Sequence, residues 1–312
     1  MSILKHAQDL ARSGKQREAI EVVEEAASAA DPEALLAVAN WRLFGLYGPR
    51  DHSAVHELLE KAMRAGSIEA GRMSANLIGN GTGCPSDPGR ARQILRDLAP
   101  HDPQSKRQLA MLEEMKPEGF SAGEVLSETP LVRILRGFLL SSECRYLRAV
   151  AEPALRPSSV IDPRTGRQAP HPVRNSAGMN FGPADEDLVI HAINRRIAAT
   201  TGTDVAAGEP LHILRYSPGQ QYKPHVDALP GVDNQREWTV LLYLNAEYSG
   251  GETSFTELGI TVRGNEGDAL LFRNTTADGR GDDRTRHAGL PVISGVKWLG
   301  SRWIRQRPYS PW

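Results

Sequence analysis

Two cysteines in 312 residues, Cys84 and Cys144, are too few for a disulfide framework. They fall in different expected domains and read as reduced thiols of a cytosolic protein. No apolar run approaches the roughly 20 residues that a membrane-spanning helix requires, so no spanning helix is expected. Neither sign of charge prevails: 37 Lys and Arg against 38 Asp and Glu leave a formal −1, so nothing suggests a nucleic-acid or membrane surface and neither partner is expected. No apolar stretch near the start resembles a secretory leader, so the expected compartment is the cytoplasm. Before Glu124 there is also no metal-ligand or acid-base cluster, since His6, His52, His56 and His101 are scattered and read as solvated.

What is present divides into two parts. In the first, Asp31-Pro-Glu-Ala34 recurs as Ser67-Ile-Glu-Ala70, and Glu24-Glu-Ala26 recurs as Glu60-Lys-Ala62, both 36 positions on. A weaker third copy runs from Ala91 to Ser105. Within each unit apolar residues fall at helical spacing, as in Ala19, Val22, Val23, Ala26 and again in Val55, Leu58, Leu59, Ala62. Each unit is therefore expected to be a helix pair. With the turns Gly45-Leu-Tyr-Gly48 and Gly79-Asn-Gly-Thr-Gly83, the pattern resembles Sel1-like repeats, relatives of tetratricopeptide repeats. The expectation is a helical repeat domain over 1–117, either docking a protein partner or bracing the rest. A Pro- and Gly-containing boundary at Lys116–Gly123 and a second domain over 124–312 complete the division.

The second part carries His225-Val-Asp227. Two residues apart on a strand, these side chains share a face and can chelate one metal. His287, from a later strand, would complete a two-histidine, one-carboxylate face of the kind that suits non-haem Fe(II) and leaves positions open. Alone the triplet carries little weight, since composition produces one in roughly every two or three proteins of this length. Its surroundings decide. Leu211 to Asp227 reads as strand, Pro218-Gly219 turn, strand, with the ligands just past the turn. Trp238–Leu244 reads as a buried strand, Gly250-Gly251 as a turn into the next, and Lys297-Trp298 opens the last long strand.

These segments together, Arg-Tyr-x-x-Gly-Gln-x-Tyr-x-x-His-x-Asp, Arg236-x-x-Thr239-x-x-x-Tyr243-Leu, Gly-Gly-Glu-Thr, Gly-Asp-Ala-Leu-Leu-Phe and His287-x9-Lys297-Trp298, resemble the prolyl 4-hydroxylase branch of the Fe(II)/2-oxoglutarate-dependent oxygenases. The upstream Val173-Arg174-x-Ser176-x-Gly178 fits as well. The resemblance runs from about Glu124 to Trp312 and implies a double-stranded β-helix, or jelly roll, behind the α-helical repeats. It implies His225, Asp227 and His287 as iron ligands, with Lys297 on the distal carboxylate of 2-oxoglutarate and the hydroxyls of Tyr216 and Thr253 assisting. A dicarboxylate taken into a barrel needs such a cation, because burying its charge unpaired costs several kcal/mol. Fe(II), 2-oxoglutarate and O2 are the implied cofactor and cosubstrates, with ascorbate optional.

The same resemblance places Tyr222, Arg236, Trp303 and Arg174 at the substrate, a proline-like ring beside a carboxyl or peptide carbonyl. The implied reaction hydroxylates an unactivated C–H and releases succinate and CO2. The Pro-rich stretch Arg156 to Glu186 is expected to be a lid. One departure bears on the substrate: only eight residues, Ala228 to Gln235, separate Asp227 from Arg236. That connection is shorter than in many peptide-modifying relatives and counts against a polypeptide substrate, so a free imino acid, such as proline or pipecolic acid, stands beside a prolyl residue in a polypeptide as the expected substrate. Arg280, Arg284 and Arg286, in the run leading to His287, would suit a free carboxyl or form a solvated loop. A contrasting class, a repeat adaptor with a non-catalytic barrel, is opposed by the joint retention of all three ligands and Lys297.

Overall fold

The computed structural model describes residues 2–115, 123–161, 168–170 and 173–310; the expected boundary at Lys116–Gly123, apart from Gly123, lies outside them. Among the described residues, α1 (Ile3–Arg12) is followed by three helix pairs: α2 (Gln16–Ser28) with α3 (Pro32–Phe44), α4 (His52–Arg64) with α5 (Ile68–Asn80), and α6 (Pro88–Leu98) with α7 (Pro103–Glu114). The 36-residue period is physical. The second helix of each pair starts on a side-chain cap, with Asp31, Ser67 and Asp102 accepting from Ala34, Ala70 and Ser105 amides. α3 and α5 end on Gly45 and Gly81, again 36 apart, both left-handed at φ 70° and 79°. Ala19, Val55 and Ala91 are equivalent, as are Val23, Leu59 and Leu95, and all six are at most 5% exposed.

Repeats stacked this way have no core of their own and rely on their neighbours. Leu59→Ala is therefore expected to destabilise the helical unit by about 2–5 kcal/mol, read as a lowered denaturant midpoint; a loss below about 1 kcal/mol would show that the stack does not depend on this contact.

The chain divides into two compact units. One comprises Met1–Glu114 with Gly182–His191, the other Met115–Phe181 with Ala192–Pro311. Residues 182–191, expected within the second domain, thus group with the helices. The reason is local. Asn76 and Asn80 on α5 donate to the carbonyls of Ala184 and Pro183 at 2.7 and 2.8 Å. Leu188 packs with Ala75, Ile78, Ala91 and Leu95. Gly79 has no side chain because Leu188 occupies that space: a Cβ there would stand 2.1 Å from Leu188 Cδ2.

In the second unit an eight-stranded sheet has the spatial order Glu124–Glu128, Leu131–Leu135, Ala269–Arg273, Arg236–Tyr243, Lys297–Arg305, His212–Tyr216, Ala177–Asn180, Arg156–Pro157. A four-stranded sheet has the order Ile260–Val262, Thr253–Phe255, His287–Gly289, Tyr222–His225. All the pairings are antiparallel. The core between them follows from side-chain alternation: Val132 and Ile134, Leu214 and Tyr216, Leu241 and Tyr243, Leu270 and Phe272 meet Phe255 and Val262. This is the jelly-roll architecture. The remaining helices are α8 (Ser141–Ala151) and α9 (Leu188–Thr201); a buried ion pair joins Glu143 of α8 to Arg196 of α9, at 2.7 Å. The stretch expected to be a lid is partly regular strand. Arg156–Pro157 and Ala177–Asn180 belong to the large sheet, and Ser159–Ile161 pairs with Gln168–Pro170. Its residues 162–167 and 171–172, with Pro163 and Pro172, lie outside the described residues.

Candidate metal centre

The strand ending at His225 pairs antiparallel with the strand beginning at His287, and these two residues are direct register partners. Their rings stand 4.4 Å apart. Asp227, two residues past His225 and 3% exposed, turns to the same side. His225 Nε2 lies 3.5 Å from Asp227 Oδ1, and His287 Nε2 lies 3.7 Å from Oδ2. One donor atom from each of the three residues falls within 4.8 Å of the others.

The far side of each ring fixes which nitrogen faces inward. His225 Nδ1 bonds the Lys223 carbonyl at 2.8 Å and His287 Nδ1 bonds the Thr285 carbonyl at 3.0 Å. A carbonyl only accepts, so each Nδ1 carries a proton and each Nε2 is the atom turned toward the cluster. Burial lowers the His287 pKa to about 4 against the opposing pull of Asp227, so its ring is neutral at pH 7. Burial alone would raise the Asp227 carboxyl. The neighbouring imidazoles of His287 and His225 and the hydrogen bond from the Thr239 hydroxyl outweigh it and hold the group well below the usual carboxylate range. Two imidazoles that each turn Nε2 inward and one ionised carboxylate, each oriented from behind, are the donor set of a facial Fe(II) site. The residues fit the metal.

Lys297 opens its strand opposite Tyr216. It is 3% exposed, and among the described residues it makes no ion pair. Its ammonium donates to the Gly251 carbonyl at 2.6 Å, between the rings of Tyr216 and Tyr243 at 5.7 and 5.8 Å. Gly251 is left-handed at φ 71°, and a Cβ on it would crowd Lys297 Cδ at 3.2 Å. Burial lowers the Lys297 pKa to about 8, partly offset by Glu252. A buried cation short of an anion, with hydroxyls nearby, suits a carboxylate ligand. Of those hydroxyls, Thr253 Oγ1 shares a 3.0 Å bond with Tyr243 Oη, and that of Tyr216 bonds Ser176.

The cluster and Lys297 line one cavity. Tyr216, Thr253, Tyr222, Trp303 and Arg174 line it as well. Tyr222 stacks on His225 at 3.6 Å, with the Arg174 guanidinium 5.4 Å from its ring. The Trp303 indole N–H is buried with no hydrogen-bond partner among the described residues. Arg236 is the expected site residue that does not line the cavity. Glu209 holds its guanidinium through both oxygens at 2.7 and 2.8 Å, and it lies 3.9 Å from the Trp303 ring centre. Arg284 pairs with Asp282 at 2.6 Å and Arg280 with Asp278 at 2.7 Å, both arginines half or more exposed. Tyr243 and Thr239 stand in the quoted motifs without an assigned role, and Ser301 and Asn274 carry no sequence signal beyond strand alternation or loop polarity.

Residues 211–305 match the 2OG-Fe(II) oxygenase superfamily. The chain is similar to prolyl 4-hydroxylase 1 of Arabidopsis thaliana, 36% identical over 252 residues, which are 74% of this chain and 87% of that protein. Among solved structures it is similar to a viral collagen prolyl hydroxylase from Paramecium Bursaria Chlorella virus-1 in its 2OG complex, at TM-score 0.46 and 28% identity, covering 56% of this chain and 95% of that one. A Sel1 repeat protein from Oxalobacter formigenes is similar at TM-score 0.32 and 21% identity, covering 35% of this chain and 85% of that one.

Proposed function

Since the chain belongs to the prolyl 4-hydroxylase family of 2OG-Fe(II) oxygenases, we propose that it hydroxylates a prolyl residue of a polypeptide in the cavity closed by Tyr222 and Trp303. His225, Asp227 and His287 would hold the iron, and Lys297 the distal carboxylate of 2-oxoglutarate, with Tyr216, Tyr243 and Thr253 around it. When bound, Fe(II) with 2-oxoglutarate and O2 supplies the oxidation that inserts one oxygen atom into the substrate C–H as succinate and CO2 leave. The chain's own residues hold and orient. Lys297 pairs with one end of the cosubstrate, and Tyr222, packed flat on His225, carries the substrate ring beside the metal ligands. Trp303 turns its unpartnered N–H to an acceptor on the substrate, such as a peptide carbonyl.

The observation that carries the polypeptide reading is the state of Arg236. The cation that would receive a free carboxyl group is already held by both oxygens of Glu209. The free imino acid is the second reading, supported by the short connection from Asp227 to Arg236 and by Arg174 in the cavity wall. Measuring succinate with hydroxylated product across proline-containing peptides and free proline or pipecolic acid separates them. Product from peptides alone is expected; turnover of free imino acids alone would overturn the polypeptide reading. With Trp303→Phe, KM for the peptide should rise by about ten-fold or less, the worth of one hydrogen bond, while uncoupled 2-oxoglutarate consumption persists. We place the reaction in the cytoplasm, consistent with Cys84 and Cys144 as free thiols; among the described residues no helix is long and apolar enough to cross a membrane.

A further inference from the structure

Behind Asp227, on the side away from the cavity, lies a chain of buried polar groups that the reaction does not use directly. Thr239 Oγ1 donates to Asp227 Oδ2 at 2.7 Å, and Asn274 Nδ2 donates to Thr239 Oγ1 at 2.8 Å. Thr239 is 1% exposed and Asn274 is fully buried. The direction of this chain is forced. An ionised carboxylate can only accept, so the single hydroxyl proton of Thr239 goes to Asp227, and the Asn274 atom facing Thr239 must be its amide nitrogen. That orientation leaves Asn274 Oδ1 buried with no partner among the described residues. A buried amide oxygen left unsatisfied is uncommon and points to a constraint on the other end of the group.

The backbone of Asn274 ties the same residue to the third ligand. Its N–H bonds the Glu237 carbonyl at 2.7 Å and its carbonyl accepts from the Asp282 N–H at 2.8 Å, which closes the loop that runs to His287. Thr285 then bonds back to the Asp282 carbonyl through its N–H at 3.0 Å and its hydroxyl at 2.7 Å, and its own carbonyl receives His287 Nδ1. One short loop therefore stands behind two of the three candidate ligands.

We propose that Thr239 and Asn274 are positioning residues, a one-way hydrogen-bond relay that occupies Asp227 Oδ2 and so presents the carboxylate to the metal through Oδ1 alone. A carboxylate that engages through one oxygen takes one coordination position, and the other positions stay open for cosubstrate and O2. This inference rests on the reading of Asp227 as a ligand.

The test uses the metal-free full chain, with Mn(II) affinity measured by anaerobic calorimetry, the visible spectrum of the Co(II) form and the melting temperature without metal. Thr239→Val keeps the shape and removes the donor. Asn274→Asp keeps the volume but offers an acceptor that draws the Thr239 proton away. Both are expected to weaken Mn(II) binding by about ten- to a hundred-fold and to alter the Co(II) spectrum, the usual scale for a partner behind a metal ligand. Thr239→Ser, which retains the donor, should restore parental affinity and spectrum, a rescue that a packing role would not give. Parental affinity and spectrum in folded Thr239→Val overturn the proposal. If Thr239→Val fails to fold, Asn274→Asp decides alone, and parental binding there overturns it equally. Asp227→Ala serves as the reference: unchanged Mn(II) binding in that variant would sink the ligand reading itself, whereas loss there with parental binding in the relay variants sinks only the relay.

Discussion

Asp227→Ala is expected to abolish hydroxylated product while leaving the chain folded. The carboxylate is the single anion of the cluster, and two imidazoles alone hold a divalent ion far less tightly. The substitution also removes a buried carboxylate that its neighbours favour in ionised form, so some stability is lost with it. The variant leaves the Thr239 hydroxyl without its acceptor, a cost of about 1–3 kcal/mol that a melting curve will register. Normal turnover of the folded variant with Fe(II) would remove Asp227 from the site.

Lys297→Ala is expected to raise the 2-oxoglutarate requirement by about ten- to a hundred-fold, with a smaller change in the requirement for the substrate. A charge-assisted hydrogen bond is worth roughly 1.5–3 kcal/mol, and the cosubstrate carboxylate would additionally be left buried without a cation. The pH dependence has a definite sign. The ammonium form makes the ion pair, and burial places the Lys297 pKa at about 8 before the cosubstrate arrives. Affinity for 2-oxoglutarate should therefore hold below that pH and fall as the pH rises through it. The Lys297→Ala protein should lack that alkaline limb. Anaerobic titration of 2-oxoglutarate between pH 7 and 10 reads both effects, and an unchanged affinity in the variant would show that another group holds the cosubstrate.

The strands and the helix pairs were legible because their signals are local. The spacing of two brings His225 and Asp227 to one side although the strand ends at His225 and Asp227 lies beyond it, and a 36-residue period with caps at Asp31 and Ser67 locates the helices. Arg236 was not legible in the same way. Its motif position says that a guanidinium is present, but its partner Glu209 lies 27 residues earlier, and only the folded sheet shows that the pair turns away from the cavity behind Trp303. Tyr243 and Thr239 share a strand and look like ordinary β-formers. Their roles depend on Thr253, which comes from the facing sheet, and on Asn274, just past the end of the neighbouring strand. Residues 182–191 failed for a related reason. Sequence order assigns them to the oxygenase, while the acceptors for Asn76 and Asn80 and the space beside Gly79 assign them to the helices.

That grouping bears on what the repeats do. Removing residues 1–114 would strip Leu188 of its packing and the 182–191 carbonyls of their donors, so a shortened chain should melt at a lower temperature for every substrate alike. Equal stability with loss of polypeptide turnover alone would instead mark the helices as a platform for the substrate.

The most direct measurement is a crystal structure of the full chain grown anaerobically with Fe(II) and 2-oxoglutarate, with the metal located by anomalous scattering at the iron edge. The account predicts one iron bound by His225 Nε2, His287 Nε2 and an Asp227 oxygen, with the distal carboxylate of 2-oxoglutarate on Lys297. Iron at any other position, or a cosubstrate whose distal carboxylate avoids Lys297, would contradict it.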